Sequence, residues 1–337
     1  MTRFRVFFVF IFCGVLGNLS LMSLPLHWPT GNPAWARGED PENFLQPTRT
    51  GLVRSALFGC VRNNGNRFHE GVDLKATRWD ARGEALDRVF AVLPGVVVHV
   101  NETAGHSSFG RYIVLEHPRV EPGIYTLYGH MRSVQEGIRP GAQVEAGETI
   151  GILGRSAGGY TIPKERAHLH FEMGVRLTDN FQWWFDARDF ASPNRHGRFN
   201  GMNLVGFDPL AFYEDFREGR IRTVDEFLQK ETVAFSVRTA HEGLPDFLER
   251  YPSLVKGQRI PDKVAGWEVD FTWYGLPVRW RPLLEAPEGY SLVVQEESLL
   301  RENACRQTVL WEGNNPYAGA ALVRILSLLF GEEWKGK

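Results

Sequence analysis

The chain has 337 residues, a formal net charge of -2 and a pI near 6.6, a balance that gives no electrostatic case for nucleic acid. Its length allows two domains, or one with large additions. Thirty-five glycines suit a β-rich protein with many tight turns.

The chain opens with positive charge at Arg3 and Arg5, and residues 6–26 are almost entirely apolar. Residues 1–26 therefore read as a secretory signal or an uncleaved membrane anchor. Cys13 follows Phe12, which does not suit a lipoprotein site. The rest is expected outside the cytoplasmic membrane, in the periplasm or cell envelope, touching the membrane only through this segment. Without the leader two cysteines remain, Cys60 and Cys305. An even pair in an oxidising compartment predicts a disulfide, against the alternative of two buried thiols. Residues 27–50 are Pro-rich and irregular, a linker or wrapping arm.

In Phe68-His69-Glu70-Gly71-Val72-Asp73-Leu74 an extended backbone puts His69, Gly71 and Asp73 on one side, with Val72 and Leu74 on the other. A helix would also align His69 with Asp73 and produce a relative of the His-Glu-x-x-His zinc helix. The Asn63-Asn64-Gly65-Asn66 turn signal, Gly71, Val72 and the lack of an apolar 3.6 period argue for a strand instead. In Ile124 to His130 the same alternation groups Tyr128 with His130. From His168 to Leu177 it is strict. His168, His170, Glu172, Gly174 and Arg176 take one face, read as a polar surface; Leu169, Phe171, Met173, Val175 and Leu177 take a core face.

Two histidines and one aspartate leave a fourth position open, the pattern of catalytic rather than structural zinc. His168 shares the face of His170 without being needed as a ligand, so it is a candidate for proton transfer, as is His130. Glu172, on the same face, is either an orienting partner for an imidazole or a solvated strand carboxylate.

These motifs, with the Gly-rich stretch 147–159, the strand 89–98 and the segment 141–148, resemble the LytM/lysostaphin-type zinc metalloendopeptidases, which cut peptide cross-links in bacterial cell walls. The resemblance covers roughly residues 50–177. It implies a mainly β fold: an antiparallel β-sheet or β-sandwich catalytic core of the LytM type. It implies one zinc ion held by His69, Asp73 and His170, with His130 and His168 as catalytic histidines. Peptidoglycan peptide is the implied substrate. The chain departs from the family in its long loop 154–167 before His168. Tyr160, Lys164 and Arg166 are candidates there for reading substrate carboxylates or glycan, against plain solvation. The remaining histidines, His27, His99, His106, His117, His196 and His241, read as packed or hydrogen-bonded residues.

Beyond the histidine strand, Asp179 to Phe185 is an aromatic cluster, expected as core, with a stacking wall beside the groove as the sharper alternative. Asp208-Pro209 and Thr223 read as helix caps. Residues 51–235 form the expected peptidase domain with its extension, and 236–337 a small α+β C-terminal addition. The addition contains a β-hairpin around Gly275-Leu276-Pro277. It also contains a helix expected to start at Asn315-Pro316 and close at Gly331. Two further classes compete with an exported zinc peptidase. One is a non-enzymatic or masked module that activates another wall hydrolase; the complete ligand set argues against it. The other is a phosphocarrier with paired histidines, disfavoured by the export signal and by Asp73. The sequence specifies no oligomeric state.

Overall fold

A computed structural model describes residues 24–255, 257 and 259–334; the apolar leader lies almost wholly outside them. Among the described residues no helix is long and apolar enough to cross a membrane. The protein is mainly antiparallel β, as expected.

The principal sheet runs in the order Leu204–Phe207, His168–Arg176, Ile124–Gly129, Tyr112–His117, Gly95–Asn101 and Gln143–Val144, with Val72–Lys75 also paired to the histidine strand. His168–Arg176 is the hub. Its first residues pair with Val72–Lys75 and its last with Leu204–Phe207, while its other edge lies along Ile124–Gly129. Leu169, Phe171, Met173 and Val175 enter the core, as the alternation predicts. The opposite face is not a polar surface: all nine residues of the strand are buried. Strands flank both edges, and other segments partly roof the polar face, so the histidines line a cavity instead.

The His69 to Asp73 segment is extended, with a break. Arg67–His69 pairs with Gly59–Arg62, and Val72–Lys75 starts after a bend at Glu70-Gly71. The bend requires glycine, because a Cβ at Gly71 would sit 2.1 Å from the Phe171 carbonyl oxygen. The arm over residues 27–50 then covers the free side of Val72–Lys75. Gln46 N–H donates to the Asp73 carbonyl and Lys75 N–H to that of Phe44, while Leu45 is fully buried. Trp28 stacks on Trp35, and Tyr213 meets both edge-on.

Asp208 caps helix Pro209–Arg217 by accepting from Leu210 and Ala211 N–H, and Thr223 caps Val224–Lys230 through Glu226 N–H. Phe181, Trp184 and Phe185 are buried around the short helix Gln182–Asp186, which makes the aromatic cluster core. Downstream, a four-stranded antiparallel sheet orders Pro277–Leu283, Gly266–Phe271, Phe235–Ala240 and Tyr290–Val294. The expected hairpin forms its first pair. The last helix is Ala320–Phe330, closed by Gly331 at φ 70°. It begins later than expected because Asn315–Ala318 is a strand paired with Val309–Glu312, which leaves Gly319 as the N-cap. Leu322, Ile325, Leu326 and Leu329 are its buried stripe.

A disulfide and hydrogen bonds fasten this region to the histidine strand's surroundings. Cys60 and Cys305 form a disulfide, as the cysteine count predicts. Tyr251 Oη accepts the Arg176 N–H at 2.9 Å, and Arg250 Nη2 donates to the Leu177 carbonyl at 2.9 Å.

Candidate metal centre

Antiparallel pairing sets Asp73 directly opposite His170, and the neighbouring pairing of Gly59 with His69 brings the third side chain in. His69 Nε2 lies 3.1 Å from His170 Nδ1 and 3.1 Å from Asp73 Oδ1, and His170 Nδ1 lies 3.3 Å from the same oxygen. Tetrahedral zinc with bonds of 2.0–2.1 Å holds its ligands about 3.3 Å apart. The three donors thus fit one ion, and among the described residues they are the one group of this kind that could hold a metal.

The outer nitrogens of both rings are engaged, which fixes the tautomers. His69 Nδ1–H donates to the Leu57 carbonyl at 2.7 Å, leaving the Nε2 lone pair inward. His170 Nε2–H donates to Glu172 Oε1 at 2.8 Å, leaving Nδ1 inward, and Tyr125 Oη donates to Glu172 Oε2 at 2.9 Å. Glu172 is therefore an orienting partner and not a solvated carboxylate; it is 2% exposed. Burial works against the charged His170 ring, yet hydrogen bonds to Asp73 and Glu172 outweigh it and push its pKa up to about 9. A metal on Nδ1 competes with that proton. Burial alone would raise the Asp73 pKa; the nearby His168, His69 and Arg62 outweigh it and hold the carboxyl well below the usual range.

The carboxylate divides its work. Oδ1 faces His69 and His170, while Oδ2 faces His168 Nε2 at 3.4 Å and Arg62 Nη2 at 2.5 Å. Arg62 also reaches His69 Nε2 at 2.8 Å, so its N–H and a metal ion compete for one lone pair. Sequence reading did not single out Arg62. The turn at residues 63–66 closes the hairpin that sets Arg62 opposite Arg67, and from there its guanidinium reaches His69.

His168 and His130 stand next to the donors without belonging to them. Their ring centroids are 4.8 Å apart, and both are nearly inaccessible. His168 Nδ1–H donates to the Arg166 carbonyl at 2.7 Å, and His130 Nδ1–H to that of Ser156 at 2.8 Å, so both Nε2 atoms carry lone pairs. Burial lowers both pKa values, which favours neutral rings near pH 7. His130 reaches this place against the strand alternation. Tyr128 faces the core, where its ring meets Phe171 and its Oη accepts the Val92 N–H. The strand ends at Gly129, and His130, at φ 60°, turns its side chain back to the site. The expected grouping of Tyr128 with His130 fails for that reason.

The donors open into a cavity of about 580 Å³. Phe109 stacks on His170 there. The loop 154–167 forms one wall. Arg155 grips Glu84 through two hydrogen bonds of 2.9 Å, and Lys164 donates to the Arg82 carbonyl at 2.7 Å, which commits both to anchoring the loop. Tyr160 sits at the lip, its hydroxyl donating to the Ser108 carbonyl at 3.2 Å and lying 3.5 Å from His130 Nε2. Of the histidines read as ordinary, His106 and His196 also line this cavity, whereas His117 is sealed between the Pro94 carbonyl and Thr126 Oγ1. The aromatic cluster of residues 181–185 contributes no wall.

The site is thus a His/Asp/His donor set on an antiparallel sheet that could hold one metal ion, with two further histidines beside it. Comparison agrees with a peptidase: residues 67–180 match the model of peptidase family M23. The resemblance expected from the motifs holds. Solved structures similar to the chain include a zinc-containing peptidase from Vibrio cholerae, 30% identical, covering 32% of this chain and 26% of that one with a TM-score of 0.24. Another is the catalytic domain of the prophage-encoded M23 protein EnpA from Enterococcus faecalis, at 21% identity, 39% and 79% coverage and a TM-score of 0.28. A third is the catalytic domain of the antimicrobial peptidase lysostaphin from Staphylococcus simulans, at 21% identity, 51% and 89% coverage and a TM-score of 0.28. The chain spans about a quarter of the length of the Vibrio protein. No curated protein matches it.

Proposed function

We propose that the protein is an exported zinc metalloendopeptidase that hydrolyses peptide bonds in peptidoglycan cross-links. The observation that carries this reading is the spacing of His69, Asp73 and His170 at 3.1–3.3 Å around one point, with His130 and His168 adjacent. The M23 match over residues 67–180 supports the same conclusion.

Zinc held there would supply Lewis acidity toward the scissile carbonyl and lower the pKa of water to about 7. The protein's own groups do the rest. His168 Nε2, facing Asp73 Oδ2 at 3.4 Å, is placed to take a proton, because that carboxylate stabilises the imidazolium that forms. His168 then returns that proton to the leaving amine, while His130 Nε2, its lone pair turned into the cavity beside the Tyr160 hydroxyl, is placed to accept a hydrogen bond from the nucleophilic water. Glu172 and the Leu57 carbonyl orient the ligand rings, and the roofed cavity limits water around the reacting groups. An oxidising compartment, in keeping with the Cys60–Cys305 bond, agrees with export through the apolar leader. The complete donor set favours the enzyme over a module that only activates other hydrolases.

The test is digestion of purified cell wall with mass analysis of the fragments, with and without a chelator. New amine and carboxyl ends at a cross-link, abolished by chelation and restored by zinc, are expected. Intact wall under zinc-replete conditions would refute the assignment.

A further inference from the structure

The cavity that holds the metal donors has a second charged wall, which the chemistry above does not use. Arg306, in the turn after the helix Glu297–Glu302, and Arg324, in Ala320–Phe330, both line it. Arg306 is fixed: its Nε donates to the Tyr274 carbonyl at 2.8 Å, and its guanidinium lies over the Phe68 ring, 4.4 Å from the centroid. Phe68 immediately precedes the ligand His69. Arg324 Nε is sealed from solvent and has no hydrogen-bond partner. Among the described residues no carboxylate lies within 4.0 Å of either guanidinium, although Glu70 is near enough to both to act electrostatically. Burial drives the Arg324 guanidinium down to about 10, and the neighbouring charge of Arg306 pushes the same way.

Two like charges side by side on a cavity wall, one with an orphaned N–H, oppose folding unless an anion completes them. Planar guanidinium forks match carboxylates in geometry as well as charge. Arg306 lies over the ring of Phe68, the residue before the ligand His69, and lines the same cavity as the donors, so an anion here would share that cavity with the metal centre.

We propose that Arg306 and Arg324 form a carboxylate-binding subsite, through which the C-terminal addition selects peptides carrying a free carboxylate close to the scissile bond. This rests on the peptidase reading for its consequence in turnover, but not for binding. The subsite explains why the addition is tied to the strand Gly59–Arg62 by Cys60–Cys305: the bond holds the Arg306 segment against the Phe68 side of the metal site.

The experiment uses the full chain and peptide fragments released from purified wall, with their carboxylates either free or converted to primary carboxamides. Binding is read by equilibrium dialysis on chelator-treated protein, and hydrolysis on zinc-loaded protein. Wild type is expected to favour the free carboxylates by about 10- to 100-fold in both, the range of charge-assisted hydrogen bonds. In Arg324→Met that preference should collapse toward one, and in Arg324→Lys, which keeps charge but loses the fork, it should be intermediate. Thermal melts establish that each variant folds; Arg306→Met serves if Arg324→Met does not. Equal binding of acids and amides by wild type overturns the subsite, and so does a preference that survives in both methionine variants. Selective binding without hydrolysis of either set would leave the subsite standing and remove the peptidase reading.

Discussion

Replacing Glu172 with alanine should weaken metal binding without touching a ligand atom. The carboxylate accepts from His170 Nε2 at 2.8 Å and from Tyr125 Oη at 2.9 Å, and all three side chains are buried. Alanine leaves two donors without acceptors in a site closed to bulk water, at about 1–3 kcal/mol each. The apo protein should therefore lose roughly 2–6 kcal/mol, less if a water enters the space. Loss of the partner also frees the ring to turn and lowers its basicity, a change that typically costs about 10–100-fold in metal affinity. Glu172→Gln keeps an acceptor for His170 and removes only the charge, so it should fall near the lower end of that range. The assay is competition against a chromogenic chelator, with melting in excess chelator recorded separately to isolate the stability term. An unchanged zinc Kd in Glu172→Ala would refute the claim that this hydrogen bond prepares Nδ1 for the metal.

Other consequences can be checked in the same material. His168→Ala or His130→Ala should retain the metal and lose most turnover, by about 100-fold or more; full hydrolysis in His168→Ala would remove it from proton transfer. His117 is buried and neutral, its pKa brought down to about 4 by burial against an ordinary 6.5. A depressed base contributes stability that is complete above pH 6.5 and lost as pH falls through 4, about 3 kcal/mol over that window. Urea midpoints between pH 7 and 4 should fall more steeply for wild type than for His117→Asn, and equal slopes would contradict the assignment. The Cys60–Cys305 bond closes a loop across 245 positions, so Cys305→Ser should cost about 2–5 kcal/mol in denaturant stability. Two reactive thiols in the denatured, unreduced mature protein would mean that the bond does not form.

Much of the centre was legible because it lies on extended segments, where a period of two decides which side chains meet. His168, His170 and Glu172 share a face for that reason alone, and Asp73 joins them because its strand pairs in register with His170. The pattern could not show that the polar face was roofed, since alternation within a strand says nothing of what covers it: here the loop 154–167 and the C-terminal addition. His130 reaches the donors by a route the pattern did not predict, because one left-handed residue overrides the alternation of a whole strand. Arg62, Arg306 and Arg324 carried no local signal of function. They gain significance from what surrounds them, and a single arginine in a strand or helix is ordinarily a solvated residue. The last helix was misplaced at its start for a similar reason: proline suits a first helical turn, but Pro316 occupies a short hairpin strand instead.

The most direct test of the metal centre is elemental analysis of the purified chain after dialysis against trace zinc, beside Asp73→Ala and His170→Ala prepared identically. One equivalent of zinc in wild type, and none in either variant when both remain folded, is the predicted result. A folded wild type that takes up no zinc, or variants that bind it as well as wild type does, would contradict the account.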